Sequence, residues 1–110
     1  MENEASDKRI FPRKPIRDRG EIVEALSGAK HPIDLLDVSE GGISFLSDTP
    51  TQKDSMLLVR FELDGRVVRG VVRIVYCVKH SLADAYRLGA AFKNLEEKYQ
   101  RNIRLYLERG

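Results

Sequence analysis

Tryptophan is absent from the 110 residues, and only four tyrosines and four phenylalanines supply aromatic surface. A core built from this chain is therefore mostly aliphatic. There is one cysteine, Cys77, so no disulfide can form within the chain, which fits a reducing compartment. Its plainest use is as a small apolar strand residue. No apolar run approaches the roughly 20 residues that a helix needs to cross a bilayer. The first seven residues are polar and acidic and lack the apolar segment of a secretory leader. The expectation is a cytoplasmic domain with no membrane insertion. Enzyme signatures are missing as well: no glycine-rich phosphate loop, no metal-ligand spacing, no Ser/His/Asp set. His31 and His80 stand beside Lys30 and Lys79 in expected loops and read as surface residues. We expect no catalytic residue, no metal and no cofactor.

What the chain does have is charge, at 33% of residues, unevenly placed on a net charge of only +2. Lys8, Arg9, Arg13, Lys14, Arg17 and Arg19 crowd one short arm in which Asp18 is the single acid. That is a local anion trap on a nearly neutral protein. Pro12 and Pro15 fix their own φ and bias their predecessors away from the helical region, so the arm is expected to be extended. Residues 1–7 are expected to be a disordered tail. Residues 8–110 are expected to form one domain comprising the arm (8–19), a barrel and a helix at about 94–109.

Apolar alternation and turn residues divide the rest. Strands are expected at Gly20–Leu26, Pro32–Val38, Gly42–Ser47, Met56–Leu63, Arg66–Val78 and Tyr86–Phe92. Leu57, Val59, Phe61 and Leu63 share one face of the fourth. Asp64-Gly65 is a tight-hairpin signal. Gly70 interrupts a long β-branched run and suggests a bulge or a bend where a barrel closes. Asn94 is the expected helix cap, with Glu96 and Glu97 in the first turn and Arg104 and Arg109 near the end. Leu95, Tyr99, Ile103 and Tyr106, with Leu107 beside them, form a stripe that should pack on the barrel. The fold class is mainly β: a small antiparallel barrel of about six strands with a C-terminal α-helix.

The chain is organised around Asp37-Val38-Ser39-Glu40-Gly41-Gly42, between two apolar runs. Backbone needs alone can explain such a stretch: Asx and Ser hydrogen bonds, and two glycines for positive φ. The upstream arginines add a second motif. Arg-x-x-x-Arg, then a strand, then Asp-x-Ser-x-x-Gly resembles the PilZ domain, a bacterial receptor module for cyclic di-GMP. Leu88-Gly89-Ala90-Ala91-Phe92 and Gly70-Val71-Val72-Arg73 are similar to the last strand and the long strand of that family.

The resemblance implies a binding site made of Arg9, Arg13, Asp37, Ser39 and Gly42. Arg13 and Arg17 form a second register of the arginine motif; Phe11, just before Arg13, favours the first, with Arg17 a supporting contact. Lys8 precedes the pair, a position the resemblance links to binding one nucleotide or an intercalated two. A plain solvated cation is the other reading of Lys8.

The chemistry fits. Arginine can fork onto phosphate oxygens or stack on a purine. Asp37 can accept from the guanine N1–H and amine. Ser39 can contact a base or phosphate. Gly41 and Gly42 leave room for backbone approach. The implied function is a cyclic di-GMP receptor whose arm changes conformation on binding and signals to a protein partner. The alternative is a small barrel that binds single-stranded nucleic acid through the arm. Such barrels usually offer aromatics for stacking, and this arm has only Phe11.

Overall fold

The structure, a computed structural model, describes residues 18–80 and 84–109 in full and the backbone of 14–15. The expected tail, and Lys8, Arg9, Arg13 and Arg17 of the arm, lie outside the described residues.

Among the described residues, seven strands and one helix follow in order. They are β1 (Lys14–Pro15), β2 (Arg19–Glu24), β3 (Lys30–Val38), β4 (Gly42–Ser47), β5 (Met56–Leu63), β6 (Arg66–Lys79), β7 (Tyr86–Lys93) and α1 (Glu97–Glu108). All neighbouring strands are antiparallel. The sheet runs β3-β2-β5-β6-β7-β4, and β4 pairs back onto β3, so six strands close into a barrel. Closure leaves no open sheet edge along the paired stretches. β1 is a two-residue addition on β3, at Lys14↔Val38 and Pro15↔Asp37.

The alternation in β5 is as expected: Leu57, Val59, Phe61 and Leu63 are buried and the residues between them exposed. Asp64 and Gly65 both adopt positive φ, 53° and 81°, and join Leu63 directly to Arg66. That is the two-residue hairpin in which both central residues must be left-handed. The helical stripe also packs inward. Leu95, Tyr99 and Ile103 are buried, and Tyr106 and Leu107 pack against the same core.

Several expectations are corrected. β2 ends at Glu24, not Leu26. Gly28, at φ 74°, carries the turn, and Leu26 is fully exposed. β3 begins at Lys30, so His31 is a strand residue, 2.8 Å from the Glu24 carboxylate. Gly70 makes no bulge: it pairs regularly with Val59, and a side chain there would strike Leu95 Cδ1 at 2.7 Å. It is small so that the segment leading into the helix can approach β6. The irregularity in β6 lies instead between Ile74 and Tyr76.

Glu96, not Asn94, is the N-cap, and it makes no side-chain cap bond. Asn94 takes a left-handed φ of 52°, a conformation asparagine tolerates better than most residues. No basic residue lies in the last turn of α1. Arg109 is the C-cap, with its guanidinium 2.9 Å from Asp64. Arg104 reaches elsewhere.

Candidate functional site

β3 and β4 are joined by Ser39, Glu40 and Gly41, and this short connection carries the central motif. Ser39 is 3% exposed. Its backbone N–H donates to the Gly42 carbonyl at 2.9 Å. Its hydroxyl oxygen accepts from the N–H groups of Gly41 and Gly42, both at 3.2 Å. A hydroxyl oxygen has two lone pairs, and both are spent inside the turn. The hydroxyl proton points at the Gly42 carbonyl over a long 3.4 Å, well beyond the usual 2.7–2.8 Å of a good O–H···O bond. Toward any ligand, Ser39 is thus a donor only.

Gly42 is needed for approach and not for a left-handed backbone. A Cβ there would strike the Ala90 carbonyl oxygen and come within 3.1 Å of its carbon and 3.2 Å of Ala91 Cα. The positive-φ glycines among the described residues are Gly28 and Gly65, so the backbone-only reading of this motif, two glycines there for positive φ, does not hold. Gly41 uses its carbonyl to accept from the Phe92 N–H at 3.0 Å. The turn is therefore sewn to the end of β7.

Glu40 points to the helix. Its carboxylate lies 3.3 Å from Arg104 Nε, while Arg104 Nη2 donates to Gln100 Oε1 at 3.4 Å. Gln100 in turn donates to the Leu95 carbonyl at 2.7 Å. The turn, the helix and the segment before the helix are linked in one chain of polar contacts.

Asp37 sits on a row that crosses five strands on the barrel's outer face. The row is Pro15, Asp37, Ser44, Gly89, Tyr76, read from successive register pairs. The next row, Val38, Ile43, Ala90 and Ile74, is buried core, which fixes the opposite sense of the first. Gly89 leaves no vacancy: the ring of Tyr76 lies where a side chain would go. Tyr76 also borders an open cleft of about 700 Å³ shared with Pro50, Lys79 and Tyr86.

Of the residues expected from sequence, Asp37, Ser39, Gly41 and Gly42 come together here. Lys8, Arg9 and Arg13 lie outside the described residues, although β1 starts one residue after Arg13 and its Pro15 pairs with Asp37. Ser44, Gly89 and Tyr76 were not expected as site residues from sequence. The alternation Ile43-Ser44-Phe45 was the available signal for Ser44, since a polar residue between two core residues faces the other way. Among the described residues no three His, Cys, Asp or Glu side chains gather as a metal site would require. No helix there is long and apolar enough to cross a membrane.

Solved structures share this fold. The PilZ domain with cyclic di-GMP of YcgR from Escherichia coli has 15% identity and a TM-score of 0.71, with 92% of this chain and 90% of that one covered. The Klebsiella pneumoniae MrkH–cyclic di-GMP complex has 18% identity and a TM-score of 0.77, covering 92% of this chain and 51% of that one. The Bacillus subtilis inhibitor of motility MotI/DgrA has 12% identity and a TM-score of 0.79, over 93% of this chain. This chain spans about half, 51%, of that protein. No curated protein matches by sequence. The sequence profile of the PilZ domain matches residues 7–109, nearly the whole chain, and this chain belongs to the PilZ domain family.

Proposed function

We propose that the chain is a cyclic di-GMP receptor. The observation that carries this reading is the pairing of β1 with the end of β3. Lys14 lies opposite Val38 and Pro15 opposite Asp37, so the arginine motif ends one residue before the chain joins the strand that bears Asp37. Neighbouring strands lie about 4.8 Å apart. The described end of the arm thus lies beside the strand end that bears Asp37, which supports joining the two motifs in one site. The cyclic di-GMP complexes of the YcgR domain and of MrkH share the fold.

Each part then has a chemical role. Arg9 and Arg13 supply bidentate, charge-assisted contacts to the phosphodiesters or stack on a guanine. Lys8 and Arg17 add positive potential that steers the dianion. Asp37 accepts from the guanine N1–H and amine. The Ser39 hydroxyl, with its lone pairs held by Gly41 and Gly42, offers only its proton. Gly42 lets β4 lie close on β7 and so fixes where the turn sits.

Six cations with one acid between them repel one another, and the nucleotide's phosphates relieve that repulsion. Binding draws the part of the arm ahead of β1 onto the barrel and changes the surface a partner protein meets. Backbone amide exchange over residues 8–19, with and without cyclic di-GMP, tests this step. New protection on binding is expected; equal protection in both states removes the arm from the switch.

Thermal melting tests the receptor reading against the oligonucleotide alternative. Ligand at about 100 times its Kd adds roughly 2.7 kcal/mol of stability, so the melting temperature should rise with cyclic di-GMP. A rise with single-stranded oligonucleotide that fades with salt, and none with cyclic di-GMP, would reverse the choice.

A further inference from the structure

Ser44 presents an unexplained group. It is 1% exposed, and its hydroxyl is buried with no hydrogen-bond partner among the described residues. A buried hydroxyl left unpaired is costly, and native proteins rarely keep one without a use. Ser44 stands opposite Asp37 across β3 and β4. Facing Cβ atoms in such a pair are roughly 4.5–5.5 Å apart, so one flat ligand edge can meet both side chains. On its other side is Gly89, whose missing side chain leaves space that the Tyr76 ring fills.

We propose that Ser44 is a further ligand-contacting residue and reads the guanine beside Asp37, an inference that rests on the cyclic di-GMP reading above. Guanine carries two donors, N1–H and the amine, next to one acceptor, O6. Asp37 is acceptor-only when ionised and takes the donors. The acceptor then needs a donor alongside, and the Ser44 hydroxyl has an uncommitted proton in the neighbouring register position. Ser39 supplies a second donor from the turn, at a different level of the barrel. Access runs through Tyr76. Its ring lies over Gly89, the register neighbour of Ser44, and borders an open cleft. A purine then takes the place of the tyrosine ring, and the Ser44 proton gains a partner it lacks among the described residues.

The test compares cyclic di-GMP with cyclic di-IMP, which keeps O6 and N1–H but lacks the amine. Calorimetry is run on the wild type, Ser44→Ala and Asp37→Asn, with a melting curve for each unliganded protein. Ser44→Ala should weaken both nucleotides by the same factor, roughly 3- to 10-fold for one neutral hydrogen bond. Asp37→Asn should weaken cyclic di-GMP more than cyclic di-IMP, because only the former has the amine to lose. The Ser44→Ala melting temperature should stay level or rise, since no fold contact is removed. Unchanged affinity in Ser44→Ala, or a fall in its melting temperature, overturns the assignment of Ser44. Wild-type protein that binds neither nucleotide sinks the receptor reading itself and Ser44's role with it.

Discussion

The Arg104 guanidinium meets the Glu40 carboxylate at 3.3 Å, tying the connection between β3 and β4 to the C-terminal helix across 64 residues of sequence. Both side chains are partly exposed, at 43% and 35%, so screening keeps the pair's own worth to about 1 kcal/mol or less. Its use is positional: it holds the turn against an element that also closes the core through Ile103. In a double-mutant cycle, Arg104→Gln and Glu40→Gln should each cost little stability, and the double variant little more than either. A coupling energy of several kcal/mol, measured by urea unfolding, would mean a buried and far stronger link.

Ser39 and Gly42 predict a different outcome from the one that a purely ligand-facing motif would give. Ser39→Ala strips the acceptor from two backbone N–H groups and should cost about 1–3 kcal/mol, lowering the melting temperature without any ligand present. Gly42→Ala forces a methyl into the backbone of Ala90 and should cost at least as much, since overpacking of this kind typically costs 1–3 kcal/mol. Denaturant titration of the unliganded variants checks both. Wild-type stability in either would place the motif outside the fold's framework.

Acid stability should respond to Glu24. Hydrogen bonds from His31, at 2.8 Å, and from Ser27, at 3.0 Å, hold its carboxyl below the ordinary value of 4.5, the His31 bond being the larger cause. A carboxyl lowered by folding stabilises the protein above its unfolded value and loses that contribution as pH falls through its folded value. Glu24→Gln should therefore melt below the wild type at neutral pH. The gap should close as pH falls below about 4.5. A gap that persists or widens in acid would show that the carboxylate is not what stabilises this hairpin.

Arm and core should separate cleanly. On the proposed receptor reading Arg13 makes a charge-assisted contact worth about 1.5–3 kcal/mol, so Arg13→Ala should lower affinity for cyclic di-GMP by roughly ten- to a hundredfold while the melting temperature holds. Phe61 is 1% exposed in the barrel, and Phe61→Ala should cost about 3–5 kcal/mol of stability. Calorimetry and melting on both variants would reveal any exchange of roles.

Local signals were legible wherever the cause was local. Asp64-Gly65 announced its hairpin because both residues must be left-handed. β5 announced its faces because one side is buried and the other wet. The helical stripe was readable for the same reason. What failed depended on neighbours distant in sequence. Gly70 reads as a bulge until the helix brings Leu95 against it. Asn94 reads as a cap until the chain turns there and Glu96 takes the position. His31 reads as a loop residue until β2 pairs with it and offers Glu24. At the site, the motif from Asp37 to Gly42 was plain, but Ser44 acquires meaning only when β3 and β7 flank β4 and show which row it joins.

Isothermal titration calorimetry of the full chain with cyclic di-GMP bears most directly on the receptor reading, because it gives affinity and stoichiometry together. Saturable heat is expected in the micromolar range or tighter, where binding is worth about 8 kcal/mol or more. The ratio of nucleotide to protein will show whether one molecule or an intercalated pair is taken. No saturable heat at concentrations far above micromolar, from protein that melts cooperatively, would contradict the account.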